Sequence, residues 1–367
     1  MKKHNAENER IKHSYLAYLK EADGKSEASL DAVAKALSRF EEYTKQREFR
    51  TFRHEQAIAF KRHLTNQVSQ QTSEPLSKAT LYSTLNALRN FFLWLAREPG
   101  FKSRLKYSDA EYFKLSEKET RIATAHRERP VPTLEQIAHV IERMPSGSEI
   151  ERRNRAIIAF TILTGARDGA MASLKLKHIN IIESVIEQDP REVKTKASKT
   201  ITTWFFPVPE SIRQIVVDWV DFLLKEKRWG FDDPLFPATQ VGHGTNRQFA
   251  ATGIDRKPWL SAAPIREIFK EAFAQAGLRY YNPHSFRKTL MQLAFDRKLS
   301  HEELKAWSQN LGHEQLMTSL ASYATVPRNR QAEIMRELRN PRKPTAPADN
   351  LLGQMAELIE KARAERA

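Results

Sequence analysis

Within the first hundred residues, apolar side chains recur only at helical spacing, and no run alternates apolar with polar as a half-buried strand would. Ile11, Tyr15, Leu16, Tyr18 and Leu19 form one such set, and Leu30, Val33, Leu37, Phe40 and Tyr43 a second. Ala57, Phe60 and Leu64 mark a third. A fourth follows Ser77, a suitable N-cap, and runs through Leu81, Leu85, Leu88, Phe91, Phe92 and Leu95. Gly24 and Pro75 stand between segments, where breakers belong. Amphipathic helices of this length can cover one another's apolar faces as a bundle. Such a bundle leaves most of the 367 residues unplaced, so a second domain is expected.

Glu98-Pro99-Gly100 ends the fourth helix. The polar stretch that follows closes at Arg127, Arg129 and Pro130 and reads as an extended basic linker, assigned to 115–130. The first domain is then 1–114 and the second 131–340. The second opens at Val131-Pro132-Thr133, with Thr133 and Gln136 at capping-box spacing. Residues 155–163 are nearly continuously apolar, as in a buried helix, and Gly165 breaks the run. Strand patterns occur only within 179–209: Ile179, Ile181 and Ile182, then Val185 and Ile186, then EVKTKASKT, then ITTWFFPV. A small antiparallel sheet with a lysine-bearing hairpin fits. Helices return at 209–227, 264–277, 284–299 and 301–311. Residues 238–257 lack periodicity and contain Gly242, Gly244 and Gly253, so a surface loop is expected there. Pro341, Pro344 and Pro347 make a linker within 341–367. A last amphipathic helix follows, with Leu351, Leu352, Met355, Leu358 and Ile359 as its stripe. The fold class is therefore mainly α with a small antiparallel β-sheet.

Lys and Arg number 60 against 45 Asp and Glu, a net charge of +15. The excess is about +8 in 1–130 and about +8 in 131–347, so it is not a tail but a property of both halves. Such a chain suits a polyanionic partner, nucleic acid first. The absence of cysteine excludes disulfides, iron–sulfur clusters and Cys-ligated zinc. The longest apolar stretch, around Ala156 to Leu163, is too short to span a bilayer. MKKHNAENER has no apolar core, so no secretory signal is visible and a cytoplasmic location is expected. There is no GxxxxGK[ST], no GxGxxG after a strand and no HExxH, so no cofactor, nucleotide or metal is expected.

Four short motifs could carry chemistry. Thr164-Gly165-Ala166-Arg167 delivers an arginine at a helix end, which suits an anionic oxygen, although a helix dipole also favours arginine there. Pro283-His284-Ser285-Phe286-Arg287 sets His284 and Arg287 three apart, on one face of a helix, with Phe286 inward. A capping histidine and a solvated arginine would look the same. Leu311-Gly312-His313 is a further helix end. Tyr323 follows ten residues later, in MTSLASYATV, where a core tyrosine would also be unremarkable.

In this order, with a lysine hairpin between the first two, the motifs resemble the tyrosine recombinases, the phage-type integrases. The resemblance extends to Leu88-Arg89-Asn90-Phe91-Phe92-Leu93-Trp94-Leu95 in the first domain and to Leu235-Phe236-Pro237 in the second. It implies a helical, SAM-like core-binding domain and a mixed α/β catalytic domain that close on DNA as a C-shaped clamp. It also implies site-specific recombination through a 3′-phosphotyrosine, as in the integrase of a mobile genetic element. Tyr323 matches the nucleophile, Arg167 and Arg287 the two arginines, His284 the proton acceptor and His313 a phosphate ligand. Of Lys194, Lys196 and Lys199, Lys196 best matches the general acid, through its Lys-x-x-Lys spacing with Lys199; Lys194 is second. Two departures stand out: Ala170 occupies the place of a usual acidic residue, and His313 to Tyr323 is one residue longer than usual. Implied partners are double-stranded DNA core sites and three further copies of the chain. The copies would join through the helix from about Asp349, with accessory host factors and a nucleoid location. The helical pattern begins too early to leave room for an arm-binding domain ahead of it. A type IB topoisomerase, or a non-catalytic DNA-binding regulator, would share the fold.

Overall fold

The computed structural model describes residues 4–68, 74–125, 130–195, 198–243, 248–297 and 299–312. The chain divides into two compact units, Met1–Arg127 and Glu128–Ala367.

In the first unit the described residues form α1 (Ala6–Glu21), α2 (Glu27–Thr44), α3 (His54–Thr65), α4 (Lys78–Leu95), α5 (Tyr107–Glu111) and α6 (Glu117–Thr124). Asn5 caps α1 through its side-chain oxygen, and the Ser77 hydroxyl accepts from the Thr80 N–H at 3.1 Å to start α4. The core is aromatic: Phe40, Phe49, Phe52, Phe60, Phe91, Phe92 and Phe113 are all buried, with Phe52 stacked on Phe92 at 3.8 Å. Each such side chain contributes about 1.5–3 kcal/mol by leaving water.

Much of the expected linker 115–130 is not extended. Residues 117–124 are α6, which packs on α4. Its N-terminus is a capping box between Ser116 and Glu119, and Glu119 also meets Lys78 Nζ at 3.7 Å. No residue of α6 is buried, which is why no apolar periodicity announced it.

The second unit is built around α8 (Glu149–Thr164), in which every residue from Ala156 to Thr164 is buried. Against it pack α7 (Leu134–Arg143), α10 (Glu210–Asp221), α11 (Ala263–Gln275) and α12 (Pro283–Asp296). A helix covered on all sides must be apolar on all sides, and that accounts for the run read from the sequence. The Thr133–Gln136 capping box forms as expected. The turn α9 (Asp168–Met171) follows α8, and a wide π-turn, Phe222–Glu226, extends α10. Leu235 and Phe236 are buried, with Phe236 edge-on to Phe160 of α8 at 5.1 Å.

The expected sheet is present: β1 (Ile179–Asn180), β2 (Val185–Gln188) and β3 (Ile201–Trp204), antiparallel in that order, with Ile186 opposite Thr203. The expected surface loop at 238–257 is instead a second hairpin, β4 (Pro237–His243) with β5 (Phe249–Pro258). Its pairing shifts register twice, between Pro237 and Thr239 and between Gln240 and Val241, and bulges of that kind erase a two-residue period. Its base is held by Arg153. That guanidinium is 2% exposed, donates to the Pro237 carbonyl at 2.9 Å and to Thr239 Oγ1 at 3.0 Å, and lies over the Trp259 ring at 4.8 Å. Burial lowers its pKa to about 10. The last helix among the described residues, α13 (His301–Asn310), ends beside β3.

Candidate active site

Gly165 closes α8 in the left-handed region, at φ 62°. A Cβ added there would lie 2.6 Å from Leu311 Cδ2 and 3.1 Å from Leu290 Cδ1, so conformation and space both require glycine. The backbone then extends through Arg167, at φ −77° and ψ 147°, which stands at the N-cap position of α9 and is half-buried.

Helix α12 begins at Asn282, whose side-chain oxygen accepts from the Ser285 N–H at 3.1 Å, with Pro283 at the first helical position. The cap is therefore Asn282, not a histidine. His284 is exposed and Phe286 is fully buried, as the spacing predicts for Phe286. Arg287 is 3% exposed. Its Nη1 donates to the Gly165 carbonyl at 2.5 Å and its Nη2 donates to the Leu311 carbonyl. One buried guanidinium thus joins the turn before Arg167 to the turn before His313.

The second turn is also fixed from the other side. Gly312 has φ 71°, and a Cβ there would meet Ile201 Cδ1 at 3.0 Å. Asn310 pairs with β3 as an added strand would. Its Oδ1 accepts from the Trp204 N–H at 2.7 Å, its Nδ2 donates to the Trp204 carbonyl at 2.9 Å, and its own carbonyl accepts from Thr203 Oγ1 at 2.9 Å. Helix α13 therefore delivers Gly312 to the sheet that bears the lysine connection.

That connection runs from β2 to β3. Val193 is buried and Lys194 is exposed, with Nζ donating to the Leu260 carbonyl at 3.2 Å. Lys199 is half-buried. Lys177 first, then the His178 ring, hold the Glu192 carboxyl below the usual carboxylate range. Lys196, His313 and Tyr323 lie outside the described residues, as do the Pro linker and helix expected at 341–367.

Ala170 is 1% exposed and belongs to the core, so no carboxylate stands at that place. Asp168 turns to α11, where its Oδ2 accepts from Arg266 Nε at 2.6 Å. Tyr281 is buried against Phe273 at 5.5 Å, and burial raises the pKa of Tyr280. Asn282, Asn310, Ser173 and Arg153 escaped the sequence reading. Asn282 carried a signal, an Asn before Pro at a helix start, whereas Asn310 meets a strand 106 residues earlier and carried none. Among the described residues, no three His, Asp or Glu side chains are grouped to hold a metal, and no helix is long and apolar enough to cross a membrane.

The phage integrase family model matches residues 131–330, more than half of the chain. The chain belongs to this family, the tyrosine recombinases. A second model, the SAM-like N-terminal domain of phage integrases, matches residues 13–99. Membership makes the chain a DNA strand-exchange enzyme of recombination and integration. No curated protein matches significantly. Solved structures share the fold at low identity. The XerH site-specific recombinase bound to palindromic difH substrate is 18% identical, with TM-score 0.59, covering 88% of this chain and 83% of that one. A lambda integrase dimer bound to a COC′ core site is 14% identical, with TM-score 0.58, covering 92% and 79%. The Tn1549 transposon integrase in complex with transposon right end DNA is 12% identical, with TM-score 0.51, covering 90% and 99%.

Proposed function

We propose that this recombinase cleaves and rejoins DNA through a 3′-phosphotyrosine at Tyr323, as the integrase of a mobile genetic element. The tyrosine oxygen attacks the scissile phosphorus, and the P–O5′ bond breaks. The phosphodiester energy stays in the new bond, so no ATP is consumed. Charge develops on the non-bridging oxygens, and Arg167 and Arg287 stabilise it, each being always charged and able to donate in pairs. His313 adds a further hydrogen bond. A phenol with a pKa near ~10 is a weak nucleophile at neutral pH, so His284 accepts its proton. Lys196, with Lys194 second, protonates the departing O5′. Two guanidiniums then supply the positive charge, and an ammonium the proton, that the step requires.

The observation that carries this reading is the Arg287 guanidinium, which ties the Gly165 and Leu311 carbonyls together. It brings the turn beside Arg167 and the turn leading into His313 to one place, although the motifs are far apart in sequence. The positive charge of both units suits the flanking phosphates of a DNA duplex. Four copies assemble on paired core sites through the helix from about Asp349, whose apolar stripe suits a partner surface. The protein works in the cytoplasm, on nucleoid DNA, with or without accessory host factors.

The test uses nicked suicide duplexes built on a core site identified by screening the DNA that flanks the gene for attachment-site repeats. Wild type should accumulate a covalent adduct and Tyr323→Phe none. No adduct with wild type, or an equal one with the variant, removes the nucleophile from Tyr323.

A further inference from the structure

The connection between β2 and β3 leaves the body of the catalytic unit through contacts with Ser173, Lys177 and His178, which lie outside the motifs read from the sequence. The Ser173 hydroxyl, just beyond α9, donates to the Ala170 carbonyl at 3.0 Å. Its lone pair is thereby left to accept from the Lys194 N–H, at 2.9 Å. His178 is 7% exposed, and its Nδ1 accepts from the Lys175 N–H at 3.0 Å, which puts the ring proton on Nε2. That nitrogen donates to Glu192 Oε2 at 2.9 Å, while Lys177 Nζ donates to Glu192 Oε1 at 2.8 Å. Between these two anchors Val193 is 1% exposed, so the segment is fixed by a buried side chain as well as by polar contacts. The anchors fall at 192 and 194, immediately before the lysine pair of the connection. Ser173 lies six residues after Arg167, on the turn that follows it, so the anchor measures the connection against the arginine end of the site.

We infer that Ser173, His178 and Glu192 are positioning residues for proton donation to the leaving 5′-oxygen: they fix where the lysine-bearing connection departs, and so where its ammonium stands. This rests on the reading above that a lysine of this connection is the general acid. Without the anchors an ammonium is less often in place to protonate the departing O5′. General acid catalysis typically contributes ~10²–10⁴-fold, and loosening the donor forfeits part of that factor.

The test compares two nicked duplexes of the same sequence in single-turnover cleavage by the full chain. One carries the ordinary phosphodiester and the other a 5′-bridging phosphorothiolate. In both, the Tyr323 oxygen bonds to phosphorus. In the first, the P–O5′ bond breaks and the oxygen takes a proton from lysine. In the second, the P–S bond breaks and the thiolate departs with the electron pair and needs no proton. Ser173→Ala and Glu192→Ala should each slow the ordinary substrate by about tenfold or more. On the sulfur substrate each should cleave within about twofold of wild type, and Ser173→Thr should recover the ordinary rate. Equal slowing on both substrates would mean a general loss of structure, and no slowing on either would mean no role; both overturn the inference. Lys196→Ala and Lys194→Ala are run beside them. If sulfur rescues neither lysine variant, the assignment of the acid itself fails. If it rescues a lysine variant and not the anchor variants, only the anchor fails.

Discussion

Replacing Gly165 by alanine should damage the second unit and the active site together. Two costs can be read from the structure. A left-handed backbone costs an alanine about 1–2 kcal/mol relative to glycine. The new methyl would stand 2.6 Å from Leu311 Cδ2 and 3.1 Å from Leu290 Cδ1, and both side chains are buried. Overpacking of that kind costs about 1–3 kcal/mol. The sum is about 2–5 kcal/mol. Five of the six tryptophans lie in this unit, only Trp94 being outside it, so tryptophan fluorescence follows its unfolding in urea. With a slope at the upper end of the usual range, about 3 kcal/mol per molar urea for a unit of this size, the midpoint should fall by about 1–2 M. Leu311 is the closest obstacle, so Leu311→Ala in the same chain should recover the packing part and leave the backbone part. The pair should then lose less stability than the two single losses added together. Gly165 and Leu311 also supply the two carbonyls that hold Arg287, so single-turnover cleavage should fall in Gly165→Ala even where the protein is fully folded. A Gly165→Ala protein with an unchanged midpoint, or strictly additive losses in the double variant, would refute the reasoning.

Arg287→Lys should lose stability as well as cleavage, by about 1–3 kcal/mol, because one ammonium cannot serve two buried carbonyls as the guanidinium does. His284→Ala, at an exposed position, should change urea stability by no more than about 0.5 kcal/mol while slowing cleavage. Arg153→Met should lower urea stability by about 1–3 kcal/mol, since it strips the Pro237 carbonyl of its donor, and should increase hydrogen exchange in the β4–β5 hairpin. Asp189, held at about 2 by Arg191, and Glu192, held below its usual range by Lys177 and His178, favour the folded state only when ionised. Their contribution is complete above the unfolded carboxylate values, near ~4, and is lost as pH falls through the lower folded values. Glu192→Gln should therefore lower stability in the neutral region, flatten the fall toward acid pH in a profile followed by circular dichroism, and converge on wild type below the folded values.

The helices of both units were legible because each buries one face, or in α8 every face, and burial writes a period into the sequence. The same rule explains both misreadings. Helix α6 buries no residue and is fixed by its cap, and the β4–β5 hairpin is bulged and anchored by one arginine from α8. Arg167 and Arg287 could be named from short motifs, because a glycine turn and a proline-started helix are local events. The contact that unites them could not, since Arg287 reaches carbonyls 122 and 24 residues away. Backbone acceptors have no residue identity, so nothing in the sequence marks Gly165 and Leu311 as partners of an arginine. Ser173 and Asn310 were missed for the same reason: each meets the main chain of a distant segment.

The central claim is that Tyr323 becomes covalently attached to DNA. Its most direct measurement is the mass of the tryptic peptide that carries the adduct after reaction with a suicide duplex and nuclease digestion. Cleavage after Lys305 and Arg328 yields a peptide, 306–328, whose single tyrosine is Tyr323. The adduct mass should appear on that peptide and disappear in Tyr323→Phe. An adduct on the peptide carrying Tyr280 and Tyr281, or cleaved DNA with no adduct on any tyrosine, would contradict the account.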